Sequence, residues 1–212
     1  MKSFIVIIAC VISLSLFGQN HEPEFDGKKW DAPYTFTIPK GWGVERFLIP
    51  ISFAPEIKYN GVEDIRFSPG WGNPETNEYW TYAFLWYLNG EVKTNAKIIE
   101  NNLATYYTGL LEANLDPLKL PAGQRVPVTT KIKKVKAEGR DVKTFRGSIY
   151  LLDYIEYKPI TLNCIVHLSY CKEQDRTVLF FELSPRPFSD QIWQSLNKLW
   201  VGFDCKKDLG TK

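Results

Sequence analysis

The chain has 212 residues, 44% of them hydrophobic and 24% charged, with 26 Lys and Arg against 24 Asp and Glu. This balance excludes intrinsic disorder, collagen-like repeats and a polytopic membrane protein, and it fits one domain with a sizeable core. A net charge of +2 lacks the strongly basic footprint of a nucleic-acid-binding protein.

Residues 1–18 are expected to be a secretory signal peptide. Lys2 precedes an apolar run from Phe4 to Phe17, broken only by Ser13 and Ser15, and small Gly18 leads into polar Gln19-Asn20-His21-Glu22. The run falls short of the roughly 20 residues that span a bilayer. Ile7-Ile8-Ala9-Cys10 resembles a lipoprotein cleavage box, but the apolar run continues past Cys10. Cleavage near Gly18 leaves Cys164, Cys171 and Cys205 and no membrane span. In an oxidising compartment, periplasmic or extracellular, that set predicts one disulfide and one buried thiol.

Residues 19–34 are polar and turn-rich and read as a loose leader to a single domain over 35–212. Alternation predicts a strand at Tyr34–Ile38, followed by an irregular apolar stretch from Val44 to Phe53 and a strand at Val62–Phe67. The aromatic run Tyr79–Leu88 predicts a strand buried on both faces, with Trp80, Tyr82, Phe84 and Trp86 on one side. Ile99, Leu103, Tyr106, Leu110 and Ala113 form the apolar stripe of a helix over 95–113, which Thr94 can cap.

Four strands follow in meander order, near 126–136, 142–155, 160–171 and 177–184. Their connections are too short for parallel crossovers, so they pair antiparallel. A final helix carries Ile192, Trp193, Leu196, Leu199 and Trp200 on one stripe. Ser189 can cap it, and Phe188 can staple onto Trp193. The expected fold is α+β: an antiparallel meander packed by two amphipathic helices.

Pairing Leu168 with Leu179 aligns the apolar faces of the last two strands and turns Cys164 inward. The final helix then runs back along the hairpin, about 18 Å in twelve residues, and brings Cys205 to Cys171. Cys171–Cys205 is the expected disulfide. Cys164–Cys205 is the alternative, because the helix covers the face that Cys164 occupies.

Motifs for metal, nucleotide or nucleophilic chemistry are missing, and no cofactor, metal or catalytic residue is expected. His167 reads as a solvated histidine on the polar face of its strand. A Cys171–His167 pair is conceivable, although Cys171 is better explained by the disulfide. Carboxylates such as Glu63, Asp64, Glu75, Glu78, Glu91, Asp153 and Glu156 are scattered, whereas a glycosidase needs two across a cleft. The basic stretch Lys131–Lys143 can meet an anionic surface, or its lysines can blunt an edge strand. More specific are Trp71 and Tyr79, which flank a Gly/Asn/Pro loop. They can form a platform for sugars or apolar ligands, with Arg66 and Asn73 supplying polar contacts.

Phe36-Thr37-Ile38-Pro39-Lys40-Gly41-Trp42 resembles the F-x-I-P-x-G-W opening of PsbP-like secreted domains. The order of elements continues the resemblance, which implies an α/β/α sandwich, usually non-catalytic and accessory to larger assemblies. The chain otherwise resembles exported proteins common in Gram-negative bacteria, a likeness that carries no activity. The leading expectation is a secreted or periplasmic binding or accessory protein, with Trp42, Arg66, Trp71 and Tyr79 facing a small molecule, glycan or envelope protein. The alternative is a small hydrolase acting on cell-envelope or dietary glycans.

Overall fold

A computed structural model describes residues 25–116, 118–120 and 126–206. The predicted signal peptide and the start of the leader lie outside the described residues. One antiparallel sheet of seven strands organises the chain, in the spatial order β1-β2-β3-β7-β6-β5-β4. The strands are β1 (Gly43–Ile49), β2 (Gly61–Phe67), β3 (Tyr82–Asn89), β4 (Thr129–Val135), β5 (Lys143–Asp153), β6 (Lys158–Cys171) and β7 (Arg176–Ser184). Composition dictates rank in the sheet. The strands buried on both faces, β2, β3 and β7, sit inside, while β1 and lysine-rich β4 take the outer edges, where charge discourages further pairing.

Helix α1 (Ala96–Asn114) buries Ile99, Leu103, Tyr106, Tyr107 and Leu111 on the face carrying Phe84, Trp86, Phe145, Val166 and Phe181. Helix α2 (Ile192–Val201) buries its stripe on the opposite face, against Leu85, Tyr87, Val178 and Phe180. The result is α+β in three layers. Leu168 pairs with Leu179, the predicted register, and Phe188 packs on Trp193 with centroids 4.8 Å apart.

Local details depart from the sequence reading: the irregular stretch from Val44 holds edge strand β1, β3 begins at Tyr82 rather than Tyr79, and two caps and one bridge differ. Asn95, not Thr94, caps α1 by accepting from the Ile98 N–H at 3.0 Å, and Thr94 is buried beneath that turn. Asp190, not Ser189, holds the start of α2, its Oδ1 accepting from the Ile192 N–H at 2.9 Å. Tyr34–Ile38 forms only one bridge, between Thr35 and Asp204. Its carbonyls take a side chain instead of a ladder: the Arg66 guanidinium donates to Phe36 O at 2.9 Å and Thr37 O at 3.2 Å.

Cys171 and Cys205 form the disulfide, with Cα atoms 5.4 Å apart, and Cys164 is a buried free thiol. The bond ties the exit of α2 to the β6–β7 turn, where Gln174 Nε2 also donates to Cys205 O at 2.9 Å. It closes a sequence separation of 34 residues, which in a chain-entropy account is worth about 3–4 kcal/mol. Cys205→Ala should lower the urea unfolding free energy by that order, and an unchanged midpoint would contradict the assignment.

Candidate functional site

Helix α1 comes closest to β4 and β5 along its backbone, while Tyr106 at its middle reaches Phe84 of β3. At the other end of that face, the side chains of β1 and β2 would be left bare. The 50–60 loop and the C-terminal half of α1 cover them incompletely, and a cavity of about 710 Å³ remains. Its floor is Glu45, Phe47, Ile65 and Phe67 with Tyr82, and Tyr106, Leu110 and Asn114 of α1 wall one side. Trp71, Trp80 and Tyr154 close the far end.

The wall carrying Trp71 is a fastened loop, not a loose one. Gly70 N–H donates to Glu78 Oε2 at 2.7 Å, Thr76 Oγ1 to Gly70 O at 2.9 Å, and Trp80 N–H to Trp71 O at 3.0 Å. From β7's side, Arg186 donates to Asn77 O and Thr76 O at 3.0 and 3.1 Å. A Cβ on Gly70 would run into Thr76 Oγ1 and crowd Glu78 Cβ, so a larger residue would have to displace the hydrogen bond from Thr76 to Gly70 O. Trp80 holds a left-handed φ of 52° at the foot of the loop with its ring wholly buried, a conformation that surrounding packing must enforce. The rings interlock, Phe67–Trp71 at 4.7 Å and Trp80–Tyr154 at 5.1 Å.

Trp71 is half-buried, and its Nε1–H, like that of the buried Trp80, reaches no acceptor among the described residues. Of the four residues expected to face a ligand, it alone lines this cavity. Trp42 packs on the opposite face of the sheet, beside the core under α2. Tyr79 is half-buried and spends its hydroxyl on the Asp153 carboxylate. Arg66 has no exposed surface. It pairs with Asp64, donates to three backbone carbonyls and lies 4.0 Å over the Phe36 ring. Asp64 also pairs with Arg46 at 2.9 Å and accepts from Tyr34 Oη at 3.2 Å, so this set fastens the N-terminal segment to the sheet. Phe47, Phe53, Tyr106 and Tyr154 were missed because they come from four separate segments, and only the tertiary fold gathers them.

Glu63 lies behind Tyr106 and is fully buried. It accepts from Tyr106 Oη at 2.7 Å and from Trp86 Nε1 at 3.0 Å. Burial nevertheless pushes its carboxyl up to about 8, because no cation compensates and Glu45 adds to the effect. The hydroxyls of Tyr82 and Tyr107 bond to one another.

His167 is buried at 2% exposure, not solvated as expected. Its Nδ1 is 2.7 Å from Asp141 Oδ2, its Nε2 is 3.3 Å from Glu182 Oε1, and its ring stacks on Trp200. Burial alone would lower its pKa, but the two carboxylates outweigh that and raise it to about 9. Cys171 is spent on the disulfide, so no Cys–His pair forms. Arg140 of the basic stretch donates to Trp200 O and Phe203 O at the exit of α2, while the lysines decorate edge strand β4.

Among the described residues, no group of three or more His, Cys, Asp and Glu is placed to hold a metal ion, and no helix is long and apolar enough to cross a membrane. No family model, curated protein or solved structure matches the chain.

Glu63 and His167 bind protons more tightly in the folded chain than in the unfolded one. Their stabilisation is therefore complete at low pH and declines as pH rises: from the ordinary 4.5 to about 8 for Glu63, and from 6.5 to about 9 for His167. Inside each window the loss approaches about 1.4 kcal/mol per pH unit. Glu63→Gln can donate to Tyr106 Oη and accept from Trp86 Nε1, so it should flatten the decline between pH 5 and 8 in urea titrations. An undiminished slope would mean that Glu63 is ionised in the fold.

Proposed function

We propose that the chain is an exported, non-catalytic binding protein whose ligand enters the cavity between the β1–β2 face and α1 and lies against Trp71. The observation that carries this reading is the unpartnered Trp71 Nε1–H in a half-open, ring-lined cavity of about 710 Å³. A buried donor without an acceptor costs free energy of about 1–3 kcal/mol, which a ligand oxygen would recover. Cavities of this size with many apolar walls and few polar groups suit small organic ligands. A hydrolase gains less support, because Glu45 is the only carboxylate among the described lining residues and Glu63 is sealed behind Tyr106.

Export is supported by the signal-like residues 1–18 and by the disulfide, which persists in oxidising compartments. An accessory role in an envelope assembly, as the likeness to PsbP-like domains implies, agrees with both.

N-Phenyl-1-naphthylamine, a neutral apolar fluorophore, should brighten on binding and raise the melting temperature of the protein. Leu110→Trp should fill the cavity and abolish the signal, and Trp71→Ala should weaken it about tenfold or more, with near-native circular dichroism in both. Equal dye binding by wild type and both variants would place the dye elsewhere and remove the support for this site.

A further inference from the structure

We infer that the cavity is built for an organic cation, an alkylated ammonium held among the aromatic rings with its charge toward Glu45. This rests on the reading that the cavity is the ligand site. Rings are the dominant lining, among them Phe47, Phe67, Trp71, Tyr82, Tyr106 and Tyr154. The face of an aromatic ring is electrostatically negative and attracts cations, most strongly where water is excluded.

The charges around the rings point the same way. Glu45 is the single charged residue in the lining, it is exposed on the outermost strand, and no cation pairs with it among the described residues. No Lys, Arg or His is among the described lining residues. The protein does use its cations on rings elsewhere: Arg66, Lys119, Arg140, Arg146 and Arg176 each lie over one. None of those rings belongs to the cavity; Tyr82 and Tyr106 are buried against neighbouring rings, and the partly exposed Phe47, Phe67, Trp71 and Tyr154 are the ones a cation from outside can reach.

A second carboxylate deepens the negative potential at the closed end. Asp153 accepts from Tyr79 Oη and from the N–H groups of Ile155 and Glu156, and it has no cationic partner among the described residues. Burial, Asp153 and Glu45 together push the Tyr154 hydroxyl up to about 12. An anion would enter this field without a counter-charge. A sugar would find few free polar groups, because the Ser68, Tyr82 and Tyr106 hydroxyls are already bonded to Thr81 O, Tyr107 and Glu63. A cation with an attached oxygen acceptor satisfies the rings, Glu45 and Trp71 Nε1–H together.

Three probes separate charge from shape: acetylcholine, its uncharged carbon isostere 3,3-dimethylbutyl acetate, and the smaller anion 3,3-dimethylbutanoate, which keeps the tert-butyl group and carries a carboxylate. Calorimetric titration of the wild-type protein should rank the ammonium first, about tenfold tighter than the neutral ester, with the anion weakest. Glu45→Gln should bring the ammonium down to the neutral ester's affinity. If the neutral ester binds as well as the ammonium, the charge assignment is overturned while the cavity remains a binding site. An undiminished ammonium preference in Glu45→Gln also overturns it, because the charge would not be read there. If none of the three binds, the cation assignment falls, and the binding reading falls with it only if the naphthylamine dye also fails to bind.

Discussion

The stack of Phe84 on Phe181, with centroids 4.4 Å apart across the β3–β7 pair, is the contact around which the molecule is arranged. It locks together the two central strands β3 and β7, both buried on their two faces. Tyr106 of α1 lies parallel to Phe84 on the same side, 5.4 Å away, and Trp86 meets Phe181 edge-on at 4.9 Å. Such rings contribute both area and preferred geometry. Because this cluster holds the middle of α1 near the centre of the sheet, the β1–β2 end of that face is covered only in part. The cavity is a consequence of where the aromatic core sits.

Buried charge is the second constraint, and it is distributed across both faces. On the α2 side, Asp64 with Arg66 and Arg46, and His167 with Asp141 and Glu182, form two ion-paired sets. On the α1 side, Glu63 is buried without a cation and is held near neutrality by its surroundings. Paired buried charges add little net stability relative to apolar residues, yet removing one partner is costly because the other remains desolvated. Their effect here is positional. Asp64 and Arg66 seat the segment that precedes β1, and Asp141 joins His167 to Trp200 Nε1 at 2.9 Å, tying the sheet to α2.

Much of the architecture was legible in the sequence because it follows from periodicity. The even apolar positions Leu162, Cys164, Val166 and Leu168 against Leu179, Phe181 and Leu183 define a face and a register, and the register places Cys171 beside Cys205. Arg66 and His167 were misread for the same reason: a polar residue alternating with apolar ones in a strand resembles a solvent-facing one. Nothing local to Arg66 reveals that Asp64 and two carbonyls from residues 36 and 37 await it inside. Trp71 stood out in the sequence from its glycine-flanked loop, and the fold places it in the cavity wall. Its companions Phe47, Phe53, Tyr106 and Tyr154 did not stand out, since each reads as ordinary core within its own element.

The central claim is that an organic cation enters beside Trp71, and the indole N–H resonances of ¹⁵N-labelled protein report on it directly. Trp193 Nε1 bonds to Arg186 O and Pro187 O, and Trp200 Nε1 to Asp141, so both serve as fixed references on the opposite face of the sheet. On titration with acetylcholine, the Trp71 resonance should move saturably while those of Trp193 and Trp200 stay in place. A Trp71 resonance that does not move, or one that moves only together with the two references, would contradict the account.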